Sequence, residues 1–171
     1  MKGKEIILGL LDTRGPLTGY EINEIIQQQL NHFYDGSYGM IYPTLRKLEE
    51  DGLVTKQQVN QTEKPNKNVF SIQPAGKKVF QKALHADLKG ETFKSDFLLK
   101  LYFGDQLTKQ QQRNLLQQEL DFKQLKLDAL HANCDEWQQN GITANQQFTV
   151  DYGIATYAAQ IKVLQQALQR L

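Results

Sequence analysis

The chain has 171 residues and a single cysteine, Cys134, so an intramolecular disulfide is excluded. No stretch approaches the roughly 18 apolar residues of a membrane-spanning helix, and a membrane partner is not expected. The start, Met1-Lys2-Gly3-Lys4-Glu5, places an acid before a short apolar stretch, Ile6 to Leu11. A secretory leader needs a longer apolar core, so a cytoplasmic location is the default expectation. The histidines, His32, His85 and His131, are widely separated, with no metal-ligand spacing, and no glycine-rich loop follows a strand. Neither a metal nor another cofactor is expected, and nothing points to an enzyme. Cys134 lies on an apolar helical seam, where a packed thiol is favoured over a nucleophile. There is also no large excess of either charge. A net charge of +1 does not fit a protein that coats nucleic acid unspecifically.

The distribution of charge is more informative. Residues 55–78 hold Lys56, Lys64, Lys67, Lys77 and Lys78 against Glu63 alone, and Glu49-Glu50-Asp51 stands just before them. A local basic segment in a near-neutral chain suits limited phosphate contact, or it is a solvated loop.

The apolar spacing predicts a first helix over residues 4–12, with Ile6, Ile7, Leu10 and Leu11, ended by Gly15-Pro16. Thr18 and Glu21 form a capping box for a second helix through Ile22, Ile25, Ile26 and Leu30. After the turn Asp35-Gly36-Ser37, a third helix carries Ile41, Leu45 and Leu48 and stops at Gly52. Pro43 falls early in it and predicts an irregular first turn or two, because proline lacks the amide of a helical hydrogen bond. Residues 53–59 and 68–72 read as two strands around a polar tip, and Pro74-Ala75-Gly76 opens another helix. Three short helices followed by a charged two-strand ribbon make a winged helix-turn-helix, expected to occupy residues 1–86. Its third helix is exposed on one face and suits a major groove about 12 Å wide.

Residues 87–171 read as entirely helical. An apolar-rich helix spans 93–103, and Thr108 caps a long one with Leu116, Leu120, Leu127, Leu130, Cys134 and Trp137 on a seam whose polar member is Lys123. Asn140-Gly141 is a turn. In the last helix Val150, Ile154, Tyr157, Ile161, Leu164, Leu168 and Leu171 alternate at spacings of four and three. Such a seam marks a helix packed along its length on another. It serves an internal two-helix hairpin or a second copy of the chain. Its length favours some contact with a second copy, so a homodimer is expected, with Val150, Ile154, Tyr157, Ile161, Leu164 and Leu168 as dimerisation residues. The predicted class is therefore mainly α: a winged helix-turn-helix followed by an antiparallel helical dimerisation arm.

Two stretches carry a specific resemblance. Leu17-Thr18-Gly19-Tyr20-Glu21-Ile22, and Gly39-Met40-Ile41-Tyr42-Pro43-Thr44-Leu45-Arg46-Lys47-Leu48-Glu49-Glu50-Asp51-Gly52-Leu53-Val54, resemble the signature of the PadR-like family of transcriptional regulators. Val69-Phe70-Ser71-Ile72-Gln73-Pro74-Ala75-Gly76-Lys77 resembles its wing ending, with Gln73-Pro74 in place of the more usual Leu-Thr. The departure alters a helix cap rather than the DNA face. The match covers residues 5–85, and residues 93–171 resemble the longer-tailed members in pattern only.

The resemblance implies a regulator, most simply a repressor, that binds double-stranded operator DNA. It implies a DNA face of Ser37, Tyr38, Tyr42, Thr44 and Arg46 on the third helix, Tyr20 on the second, and Lys64 and Lys67 on the wing. For Tyr42 and Tyr20, packing is the alternative role. Some relatives respond to phenolic acids, so a small aromatic effector is a further expectation. Phe93, Phe97, Tyr102 and Trp137 are its candidate pocket, with plain core packing as the alternative. The rival to DNA binding is a winged helix that binds protein, to which the acidic Glu49-Glu50-Asp51 lends weight.

Overall fold

The computed structural model describes residues 1–59, 66–90 and 93–171, and of Tyr38 the backbone alone. The chain divides into two compact units, Met1–Gly90 and Glu91–Leu171.

The first unit opens with α1 (Gly3–Arg14), which buries Ile7, Leu8 and Leu11. Ile6 and Leu10, expected on that face, flank it half-buried. A two-residue strand, β1 (Leu17–Thr18), follows and was not expected from the sequence. Two residues are too few to show a period. Thr18 then caps α2 (Gly19–Ile25), accepting from the Glu21 amide while the Glu21 carboxylate accepts from the Thr18 amide. Over Ile26–Leu30 the helix widens to a π-helical turn. There the Gln27 side-chain amide donates to the Gly36 carbonyl at 2.6 Å, fastening the turn before the third helix.

That helix, α3 (Tyr38–Glu50), buries Ile41, Leu45 and Leu48, a spacing that keeps one face inward. Pro43 lies inside it without breaking it, so the irregular opening expected from the sequence does not occur. Proline at this depth removes one main-chain bond, and the buried face holds the remainder in register. Gly52, at φ 68°, makes the left-handed turn that ends the segment.

β2 (Val54–Val59) and β3 (Lys67–Ile72) form the wing, with Val54 opposite Ile72 and Val59 opposite Lys67. β1 adds to the far side of β3, Leu17 opposite Phe70, giving the antiparallel order β1-β3-β2. This pairing ties the start of α2 to the middle of β3. α4 (Pro74–Leu84) packs on α1. Ile7, Leu8, Leu11, Ile22, Ile26, Ile41, Leu45, Leu48, Val54 and Phe70 make one continuous core. Each side chain of this kind contributes about 1.5–3 kcal/mol on burial.

The second unit begins with α5 (Asp96–Tyr102), capped by Ser95 and shorter than the 93–103 expected. α6 (Lys109–Gln139) and α7 (Ala144–Arg170) each start with a capping box, Thr108 with Gln111 and Thr143 with Gln146. Gly141, at φ 79°, turns the chain between them, and the two helices pack on each other. Leu130, Trp137 and Val150 form the centre of one cluster, with Cys134, Ile142, Ile154 and Tyr157 around it. Among the described residues no helix is long and apolar enough to cross a membrane.

Candidate nucleic-acid interface

α3 turns Ile41, Leu45 and Leu48 into the core, and the same spacing turns Tyr42, Pro43, Arg46 and Lys47 outward. Tyr42 and Arg46 are one helical turn apart on that outer face. Arg46 is exposed and makes no ion pair among the described residues, so its guanidinium is available to an incoming acceptor. Its neighbours differ. Lys47 pairs with Asp51 at 3.7 Å, and Lys56 on β2 pairs with Glu49 at 3.5 Å. Two of the three acids at the end of the third helix are thereby engaged by lysines of the same unit.

Ser37 is at the N-cap position of α3, exposed, and its side chain makes no capping bond. Thr44 is half-buried, and its hydroxyl donates to the Met40 carbonyl at 2.6 Å. A partner of Thr44 therefore meets its oxygen as an acceptor rather than its proton.

A groove of about 460 Å³ is lined by Tyr20, Glu21 and Glu24 of α2, Tyr42 of α3, and Lys67 and Asn68 at the tip end of β3. Tyr20 is 59% exposed and Tyr42 45%. The tertiary structure thus gathers Tyr20, Tyr42 and Lys67 around one depression, with Ser37 and Arg46 exposed on the adjoining helix. The Glu21 carboxyl is held below the usual carboxylate range, mainly by the bonds it accepts from the Thr18 amide at 2.7 Å and hydroxyl at 2.8 Å. The positive charge of Lys67 adds to this. Glu21 and Glu24 were not among the residues expected at this face. In the sequence Glu21 is a cap and a member of the family signature, and nothing in the pattern of Glu24 marks it. Lys64 lies outside the described residues, as does the side chain of Tyr38.

In the second unit the expected pocket residues separate. Phe93 and Phe97 line a cavity of about 290 Å³ with Leu98, Val163 and Leu164, and Lys123 and Glu119 stand at its polar side. Trp137 lies in the other cluster, packed with Leu130 and Val150. Tyr102 is 82% exposed and meets the Phe103 ring edge-on, 5.1 Å between centroids. Lys123 is the member the sequence left unexplained. Its ammonium is 3.1 Å from Glu119, each side chain only 19% exposed, and it stands 5.5 Å from the Phe122 ring and 5.8 Å from the Tyr157 ring. An ammonium over aromatic faces and beside a carboxylate is stabilised on both counts.

Of the six seam residues, Val150, Ile161 and Leu164 are already buried within one chain, and Ile154, Tyr157 and Leu168 are half-buried. The large apolar side chains that remain exposed among the described residues of this unit are off that seam: Phe93, Leu98, Leu99, Tyr102 and Phe103 on and beside α5, Phe122 and Leu125 on α6, and Phe148, Tyr152 and Val163 on α7.

Residues 7–82 match the model of the Transcriptional regulator PadR-like family, and residues 93–171 match that of the Virulence activator alpha C-term. The Negative transcriptional regulator PadR of Bacillus subtilis (strain 168) is 33% identical over 78% of this chain and 73% of that protein. This chain belongs to the PadR-like family of transcriptional regulators. A solved protein of Streptococcus mutans UA159 has 46% identity and a TM-score of 0.92 over 99% of both chains. Bacillus subtilis PadR in complex with operator DNA has 25% identity and a TM-score of 0.83, over 98% of this chain and 97% of that one. The winged helix and the C-terminal helices of this PadR-like chain are thus the family's fold, and the family is one of regulators rather than enzymes.

Proposed function

We propose that this regulator binds operator DNA as a homodimer and represses transcription, with the outer face of α3 in the major groove and the wing on the backbone. The observation that carries the reading is the exposed, unpaired Arg46 one turn from Tyr42, beside the groove that Lys67 borders. An arginine in this position suits bidentate recognition of a guanine edge, and Lys67 suits a phosphate. Tyr20, Ser37 and the acceptor oxygen of Thr44 complete the face, with Tyr38 and Lys64 assigned to it from the sequence. Homodimerisation through the arm is supported by its exposed apolar side chains on α5, α6 and α7, since a solvated unit seldom leaves so many unpaired. Two-fold pairing would set two recognition helices about 34 Å apart, one turn of duplex. A relative of known structure contains operator DNA, and a curated relative is named a negative regulator, in keeping with this reading. Footprinting on the DNA upstream of the chain's own gene tests it. Protection of two half-sites one turn apart, lost in Arg46→Ala, is the expected result. Absence of protection, or protection unchanged by the substitution, overturns it.

A second proposal concerns control. The cavity of Phe93 and Phe97 has apolar walls with one ion pair at its side, which suits a small aromatic acid whose carboxylate meets Lys123. Binding there would release DNA only by favouring the unbound geometry, a coupling of about 1–3 kcal/mol. Titration with phenolic acids, read by operator release in the wild type and in Phe97→Ala, decides it. Release that persists in Phe97→Ala places the effector elsewhere, and no release at millimolar ligand removes this class.

A further inference from the structure

The helix α3 has no side-chain cap of its own: Ser37 stands at the N-cap and makes no capping bond. The peptide just before it is held from another direction. The Gln27 side-chain amide donates to the Gly36 carbonyl at 2.6 Å, across nine residues of chain. That carbonyl lies one residue outside the N-cap, so the ladder of α3 offers it no partner. Gln27 is the second residue of the π-helical turn Ile26–Leu30. Such turns are rare and are found frequently at functional sites. Gly36 is itself buried, and a Cβ built on it would lie 2.8 Å from Cγ2 of Ile26, in the same π turn, and 2.6 Å from Cε1 of Tyr34. The main chain at Gly36 is therefore seated directly on that turn, with the Gln27 amide as its polar fastening.

We infer that Gln27 is a positioning residue for operator recognition: its amide clasps Gly36 and so fixes where α3 begins and how its first turn is presented to DNA. The inference rests on the proposal that the outer face of α3 reads DNA. Base reading is sensitive to the placement of the helix, because each hydrogen bond to a base edge needs its atoms about 2.7–3.2 Å apart. Attraction to phosphates acts over a screening length of about 8–10 Å and tolerates a small shift. Release of the clasp therefore costs preference for the operator and spares the general grip on DNA. A turn hydrogen bond with a purely structural role lowers stability and leaves that preference alone.

The test compares Gln27→Ala and Gln27→Glu with the wild type, all in the full chain. Gln27→Glu keeps the length of the side chain and replaces the donor by an acceptor. Binding is measured to a duplex selected by the wild-type protein from random-sequence DNA, and to a scrambled duplex of the same composition. Thermal unfolding and amide hydrogen exchange are followed alongside, with Ile7→Val in the core as the control for lost stability alone. Both Gln27 variants are expected to lose roughly tenfold in preference for the selected duplex, the scale of one lost base contact. Gln27→Ala should bind the scrambled duplex as the wild type does. The added charge of Gln27→Glu weakens both duplexes and cancels in their ratio. Exchange should quicken at the Ile41 amide, in the first turn of α3, and stay unchanged at Leu48, near its end. Ile7→Val should lower the thermal midpoint and leave the preference intact. Preference retained in either Gln27 variant overturns the inference and leaves the DNA face standing. An equal loss of preference in Ile7→Val overturns it too, as does failure of both Gln27 variants to fold, since the bond would then be structural. Lost preference without faster exchange at Ile41 removes the clasp as its cause. If the wild type selects no preferred duplex, the DNA reading itself fails, and the inference falls with it.

Discussion

Residues 1–90 and 91–171 bury their apolar side chains in different ways. In the winged unit, Ile7, Leu8, Ile22, Ile41 and Leu45 are wholly enclosed, because helices on several sides and a small sheet meet at one centre. In the arm the long helices meet along one stripe. Leu116, Leu130, Trp137, Val150, Ile161 and Leu164 are covered, while Leu99, Phe122, Leu125, Phe148, Tyr152 and Val163 stay in solvent. Two packed helices cover one face of each, whatever the length of the pair. The contrast teaches that the winged unit completes its core within the chain, and that the arm's remaining apolar surface suits a partner. The long seam of α7 is occupied largely by the chain's own packing, and the apolar side chains left in solvent lie off that seam.

The largest expected effect breaks the winged side of this comparison. Ile41→Ala should destabilise that unit by about 2–5 kcal/mol, the range for truncating a buried aliphatic side chain. Chemical denaturation followed by circular dichroism checks it, and a loss below 1 kcal/mol would mean that the core is not closed as described.

Next in size is the arm. Leu125, 67% exposed within one chain, should behave as a surface residue in an isolated chain, within about 0.5 kcal/mol of wild type on change to alanine. If a second copy covers that face, Leu125→Asp should instead shift the dimer toward monomer and make stability depend on protein concentration. Sedimentation at several concentrations reads this. Unchanged association in Leu125→Asp and in Tyr152→Asp would remove α6 and α7 as the contact.

On the DNA side, Arg46→Ala should weaken binding to the preferred sequence by roughly 1–3 kcal/mol and flatten discrimination. Lys67→Ala should weaken all sequences alike and reduce the salt slope by about 1. Equal behaviour of the two variants across sequences would dissolve the division between reading and gripping.

The smallest effects come from pH, and those of Glu21 and Tyr157 fall in opposite windows. The Glu21 carboxyl is depressed by its bonds to Thr18, so its contribution is present above the ordinary carboxylate range and is lost as acid protonates it. The Tyr157 phenol is raised by burial, so its contribution is complete below the ordinary phenol range and fades as alkali ionises it. Glu21→Gln should flatten the acid limb of winged-unit stability, and Tyr157→Phe the alkaline limb of arm stability. A swap of the two would contradict the placement of these groups.

Much of the winged unit could be read from local pattern. Thr18 with Glu21, the spacing of Ile41, Leu45 and Leu48, and Gly52 after the third helix are signals carried within a few residues, and each describes what the chain does there. The strand Leu17–Thr18 was not legible, since only its pairing with Val69 and Phe70 makes it a strand. The continuity of α3 through Pro43 was likewise decided by its packed face. The groove of Tyr20, Tyr42 and Lys67 was legible as residue types and not as a place, because its members lie far apart in sequence and meet only when β1 joins the wing.

The sequence by itself determined the period of each helix, its caps, the order of the elements and the family signature, because these depend on interactions within one or two turns of chain. Tertiary structure decided which apolar residues close a core and which face outward. It separated Trp137 from Phe93 and Phe97, and gave Val150, Ile161 and Leu164 to packing within the chain. These outcomes rest on contacts between distant segments. Such contacts depend on the shapes of both surfaces at once, and no single stretch of sequence carries both.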